Sequence, residues 1–229
     1  MTDDDDQQDY SYAGEEYEIS VTELMELSPH EALRSFFERH DELIEEITEE
    51  SGEHKACADG CGYCCHLKVI ADAVEIFAMV DYVTEHLYES QIDEIVHTAK
   101  QNIEAAKNLS HKEQATINQQ CPLLLNNRCL IYPMRSIKCR NYHATDQSSC
   151  RASFDNPKDL SILNQNITEL YVAATGSTNG FMAALHQHGY DDRIYDHNAA
   201  FIEALNDPKC RERYDARKRA FKTARYNNQ

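Results

Sequence analysis

Tryptophan is absent from the 229 residues, and positive charge is scarce: 22 Lys and Arg stand against 40 Asp and Glu, for a net charge of −18. Such a balance repels nucleic-acid backbones and anionic membranes on average, which sets both aside as partners. No apolar run reaches the roughly 18–20 residues of a membrane-spanning helix. Met1 leads directly into Asp3, Asp4, Asp5 and Asp6, where a secretory leader would place a basic and then an apolar stretch. The expectation is a cytoplasmic protein. There is no internal repeat and no series of strands, so the expected class is mostly α, an irregular helical domain of one ordinary core. A Gly-rich phosphate loop, a nucleophile elbow and an H-E-x-x-H pair are likewise missing, and no motif assigns a reaction.

Residues 1–18 hold eight acids and no Lys or Arg, with too little apolar material to fold alone, so 1–20 is expected as a disordered acidic tail. Residues 21–205 then form a helical cysteine-cluster domain, and 206–229 a basic C-terminal helix. Ser28, Pro29 and Glu31 have the order of an N-cap, a first-turn proline and the third residue of a capping box. Leu33, Phe36, Phe37, His40, Leu43, Ile44 and Ile47 follow at helical spacing up to Ser51-Gly52, and His40 on that face reads as a hydrogen-bonded core histidine. Asp72 is placed to cap a second helix and Ser90 a third. The stretch 121–142 carries an Asn126-Asn127 turn and reads as a short hairpin or irregular loop with a brief helical turn. A long helical pattern begins at Asn156-Pro157. Gly176 and Gly180 within it mark a kink, a break or a close helix contact. The Lys and Arg between Lys209 and Arg225 are expected to lie on a solvated helix or to pair with the acidic N-terminal part.

What is abundant is cysteine. Eight of the nine lie between Cys57 and Cys150, and in a reducing compartment such clustering indicates metal ligation or redox chemistry rather than disulfides. The first group, Cys57-x3-Cys61-x2-Cys64-Cys65-His66, brings four thiols into nine residues, with Gly60 and Gly62 allowing the backbone to fold tightly. Adjacent Cys64 and Cys65 suit two neighbouring centres, or one ligand and a spare thiol, better than one zinc. The second group holds Cys121, Cys129 and Cys139, with Cys150 as a further candidate and His66 as a possible ligand, acid or second-layer partner. Between residues 121 and 142 stand Arg128, Arg135, Lys138 and Arg140 and not one acid. This inversion of the chain's overall charge suits negatively charged thiolates and is expected to lower their pKa values. Cys210, in the basic segment, reads as a bystander.

The order Cys57-x3-Cys61-x2-Cys64-Cys65, then Cys-Pro-Leu-Leu at Cys121, Cys-x-Ile-Tyr at Cys129 and Arg-x3-Cys-Arg ending at Arg140 resembles the YkgJ-like cysteine-cluster family of zinc- or iron-chelating proteins. The resemblance spans about residues 54–145. It implies that Cys57, Cys61, Cys64, Cys65, Cys121, Cys129 and Cys139 hold zinc or iron, at a metal centre between two cysteine-rich loops. One departure is that Ser136 stands where the family has proline. A similar cluster in flagellin lysine methylases implies an iron–sulfur centre, so a [4Fe–4S] cofactor and a methyltransferase-like activity stand beside zinc. Cys57-x3-Cys61-x2-Cys64 with Tyr63 also resembles the radical S-adenosylmethionine signature, although a helix precedes the loop and no barrel series follows. A metal ion is thus the expected partner, and the sequence names no protein partner.

Overall fold

A computed structural model describes residues 3–224, with side chains from residue 11 onward. Thr2 and Met1 of the expected tail and Arg225 of the basic segment lie outside the described residues. Helix α1 spans Asp3–Glu23, where a disordered tail was expected. Its second half is ordered by contacts that apolar patterning does not reveal. Arg39 forks between Glu16 at 2.7 Å and Glu23 at 2.8 Å, and Glu16 is buried. Helix α2, Pro29–Ser51, opens on the complete Ser28–Glu31 capping box and closes on Gly52 at φ 65°, as its sequence dictates. It buries Leu33, Phe36, Phe37, His40, Ile44 and Ile47.

Beyond the first cysteine loop come strand β1, Ile70–Ala71, and helix α3, Ala73–His86, capped by Asp72. Helix α4, Glu89–Ala106, starts one residue before Ser90, with Tyr88 at the N-cap. Helix α5 is a single turn, His111–Gln114. The expected hairpin is present as β2, Leu124–Leu125, and β3, Arg128–Cys129, with Asn126 and Asn127 both at positive φ in the turn. Helix α6, Ile137–Arg140, and α7, Gln147–Asp155, follow. Residues 157–167 are not the start of the long helix that the pattern suggested; α8 spans Thr168–Gln187.

Strand β4, Tyr195–Asp196, pairs antiparallel with β1, which brings helix α9, His197–Asn206, against the loop region. Helix α10 covers only Lys209–Asp215. Residues 216–224 leave the helix and bury Ala220, Phe221 and Ala224. Among the described residues the basic segment's ion pairs are made elsewhere than with the acidic N-terminal part: Arg211 pairs with Asp81, and Arg213 with Glu203 and Asp207. About 60% of the chain is helical, so the class is mostly α. No described helix is long and apolar enough to cross a membrane.

Helix α2 packs on α3 and α8, and α9 on α3 and α4, while α1 runs along α8. Phe36 and Phe181 stack at 4.4 Å between α2 and α8. Helix α8 is continuous through Gly176 and Gly180, so Gly180 marks a close contact. A Cβ there would collide with the Ala13 carbonyl oxygen and stand 2.9 Å from the Tyr17 nitrogen. Gly180→Ala should therefore cost about 1–3 kcal/mol of overpacking strain in urea unfolding. Gly14→Ala, with open space at its Cβ, should be neutral or gain up to about 1 kcal/mol from helix propensity.

Candidate metal centre

Two loops carry the thiols, and backbone hydrogen bonds join them. The Cys121 N–H donates to the Cys65 carbonyl at 2.7 Å, the Gln119 N–H to His66 at 3.0 Å, and the Ala56 N–H to Ala144 at 2.7 Å. Within the first loop Gly60, at φ 83°, supplies the left-handed residue of a tight turn in which the Cys61 N–H reaches the Ala58 carbonyl at 3.0 Å. Cys64, Cys65 and His66 form one turn of 3-10 helix. Gly62 lies under the hairpin turn, where a Cβ would stand 3.2 Å from Asn127 Oδ1. Arg128 fastens the same hairpin to Asp59 at 2.7 Å. The two cysteine loops thus face each other.

The third cysteine segment is positioned by buried polar groups. Ser136 caps α6 and accepts from the Cys139 N–H at 3.3 Å, with its hydroxyl also 3.3 Å from Cys139 Sγ. Ser136 therefore organises this turn through its side chain. Glu75 on α3 holds the same turn, accepting the Ile137 N–H at 2.6 Å and the Asp72 N–H at 3.0 Å. Burial, with Asp72 beside it, keeps the Glu75 carboxyl well above the usual carboxylate range. Its only trace in the sequence is the Asp72–Glu75 capping box, which gives no hint of the reach to residue 137. Arg140 is also buried. It bonds Asp41 at 2.5 Å and the Pro133 and Arg135 carbonyls, and it lies over Phe37 at 3.8 Å.

Electrostatically the thiols are one community with Cys64 at its middle. Charge on Cys64 opposes ionisation of Cys57, Cys121, Cys129, Cys139 and Cys150, and the Cys64 thiol is itself pushed up by its hydrogen bond to Cys65 and by burial. Lost hydration pushes Cys121 up to about 12 and Cys139 up to about 11; Cys139 is exposed as a residue, but its sulfur is crowded by protein. Cys150 is raised to about 11 by burial and then by Cys57, Cys61 and Cys64. The expectation that the four local cations would lower these values is corrected. Arg140 and Arg128 are engaged by Asp41 and Asp59, and Arg135, which favours the Cys129 thiolate, is outweighed there by burial. Without a bound cation at the centre, mutual repulsion and desolvation favour the protonated thiols.

Residues 56–165 match the sequence profile of the CxxCxxCC family, described as a putative zinc- or iron-chelating domain. Just under half of the chain is thus similar to this domain. No curated protein and no solved structure matches the chain. The matched segment begins one residue before Cys57 and contains every clustered thiol, including Cys150, whereas α1, α2 and α8 to α10 lie outside it as packing scaffold. Its kind is metal-binding, and the donor set fits: soft thiolates whose shared repulsion a cation would reverse.

The thiols are nevertheless spread. Among the described residues no three of them lie within 4.8 Å of one another. The one trio of donors that does is Glu203, Asp207 and Cys210, and it is already served by the chain. Glu203 accepts the N–H groups of Lys222, Thr223 and Ala224, and Arg213 bridges Glu203 and Asp207. His40 also belongs to the structure rather than the site, as its sequence position suggested. It is buried between Ser177 Oγ at 3.1 Å and Asn141 Oδ1 at 2.7 Å.

Burial lowers the His40 pKa from 6.5 to about 4. In the unfolded chain His40 takes up a proton below about pH 6.5, and in the fold only near pH 4. Its contribution to stability is complete above that window and is lost as pH falls through it, by up to about 3 kcal/mol. Urea unfolding at pH 7, 5.5 and 4.5 should show this decline. His40→Gln, which keeps hydrogen-bonding ends without a titrating proton, should flatten it.

Proposed function

We propose that the protein binds iron as an iron–sulfur cluster through thiolates drawn from Cys57, Cys61, Cys64, Cys65, Cys121, Cys129 and Cys139. The observation that carries this choice is the spread of the sulfurs. A zinc ion with Zn–S bonds of about 2.3 Å needs four sulfurs about 3.8 Å apart. A cluster holds its cysteines farther apart, because its own iron and sulfide fill the middle. Eight clustered thiols, Cys64 among them, also exceed the four of a closed zinc shell. Zinc in one or two thiolate sites is the second reading, supported by the family description. Of the enzyme alternatives, the radical type lacks its setting. The loop follows α2, and the described strands are four two-residue pieces rather than a barrel. A methyltransferase-like role has no motif in this chain to carry it.

The chain's own contribution is to hold the thiols and to place Ser136 against Cys139. When bound, the cluster supplies one-electron chemistry.

The test is the content of iron, acid-labile sulfide and zinc, with an absorption spectrum, in protein purified without oxygen. Iron with matching sulfide and a broad visible absorption is the expected result; colourless protein with stoichiometric zinc replaces the cluster by the second reading. Cys61→Ser and Cys129→Ser should each lower bound metal by half or more, whereas Cys210→Ser should leave it unchanged. Equal metal in all three variants removes the ligand set. Because the ligands must lose protons that the fold holds tightly, metal should be released as pH falls and protons released as metal binds.

A further inference from the structure

One wall of the thiol community opens onto a cavity of about 140 Å³ between the first cysteine loop, α7 and the run 157–164. Cys64 and Cys150 line it directly. Tyr63 and Phe154 form an apolar side, with their rings 5.5 Å apart, and Leu67, Leu160 and Ile162 extend it. Leu160 is 52% exposed at the mouth. Asn118, Tyr142, Ser153, Asp159 and Asn164 supply polar groups to the rest of the lining. Asn164 donates through Nδ2 to the Tyr142 hydroxyl, and its Oδ1 is buried without a partner. A buried acceptor left unpaired costs on the order of 1–3 kcal/mol, which a ligand N–H placed there would recover.

Charge selects the ligand further. No lysine, arginine or histidine lines the cavity, while Asp159 and the two thiols do. Nothing there can neutralise a phosphate or a carboxylate. A metal centre held by several thiolates keeps a net negative charge on the same side.

We propose that this cavity binds a small organic cation, an ammonium with a short apolar chain, whose N–H is accepted by Asn164 Oδ1 and whose chain lies against Tyr63, Phe154 and Ile162. The site rests in part on the reading of Cys64 as a metal-centre thiolate, since that supplies much of the field. The cavity has room for a small molecule and not for a nucleotide-sized cofactor. It places the ligand beside the centre, where a purely structural metal site has no need of an open cavity.

The experiment titrates metal-loaded full-length protein with butylammonium chloride, butyramide and sodium butyrate at constant ionic strength. It uses amide-proton NMR to locate the site and calorimetry to measure affinity, with metal content determined on every sample. Butylammonium should perturb residues 63–67, 150–154 and 160–164 saturably and bind at least about tenfold more tightly than butyrate, a difference of about 1.4 kcal/mol. Asn164→Ala should weaken it about fivefold or more. Asn164→Asp, which puts a carboxylate at the same place, should strengthen it. Ile162→Trp, which fills the cavity, should abolish binding while leaving metal content unchanged. Metal-loaded protein that shows no saturable butylammonium binding, or that binds butyrate equally well, overturns the cavity proposal and leaves the metal reading intact. Protein that carries no metal and still binds butylammonium at these residues overturns the metal reading and supports the cavity.

Discussion

The buried guanidinium of Arg140 is the constraint on which the cysteine region depends. One side chain ties Asp41 on α2 to the carbonyls of Pro133 and Arg135 and rests on the ring of Phe37. It is 1% exposed, so removing a partner would leave a buried charge uncompensated, a change that costs several kcal/mol in proteins generally. Lysine has one point charge and cannot reproduce the planar fork that meets three acceptors at once. The turn bearing Cys139 is thus welded to the helical core one residue away from its sulfur. From the other side Glu75 receives the Ile137 N–H, so the same turn is gripped by a cation and a carboxyl carried on two different helices.

This grip explains how an irregular region with little secondary structure can present ligands. The hairpin has two residues per strand, far below what is stable alone in water. Its register is held by its neighbours instead. Asp59 takes Arg128, Asn127 lies over Gly62, and the Cys121 N–H is bonded to Cys65. Side chains that a sequence reading would assign to thiolate electrostatics are spent on architecture. The basic character of 121–142 mostly builds the loop, and Arg135 alone among its cations is felt by the Cys129 sulfur.

The elements legible in the sequence are those whose signals are local. The Ser28–Glu31 capping box and Gly52 delimit α2, Asp72 starts α3, and Asn126-Asn127 makes the hairpin turn. The cysteine spacings likewise announce the likeness to the CxxCxxCC domain. What was not legible depends on residues distant in the chain. Helix α1 is short of apolar residues and is held by Arg39 and by the missing side chain at Gly180. The basic segment is not a helix throughout, because Phe221 is drawn into the core against Phe77 and Tyr195. Residues 157–167 have helical spacing, yet α8 begins only at Thr168, and Thr145 instead takes the Gln165 carbonyl at 2.9 Å. That bond closes the loop over the cavity beside Cys150, a tertiary choice that periodicity does not encode.

The raised thiol pKa values give the centre a definite energetic character. Cys57, Cys64, Cys121, Cys129 and Cys139 ionise against burial and against neighbouring thiols, so the bare site favours protons over charge at these sulfurs. A cation removes that penalty for all the thiols at once, because Cys64 couples to both loops. Binding would therefore be cooperative in protons. Helices α2 and α3 fix the Cys139 turn through Arg140 and Glu75, whereas the first loop, with its glycines and its more open Cys57, is joined to the second by the Cys121–Cys65 and Ala56–Ala144 backbone bonds.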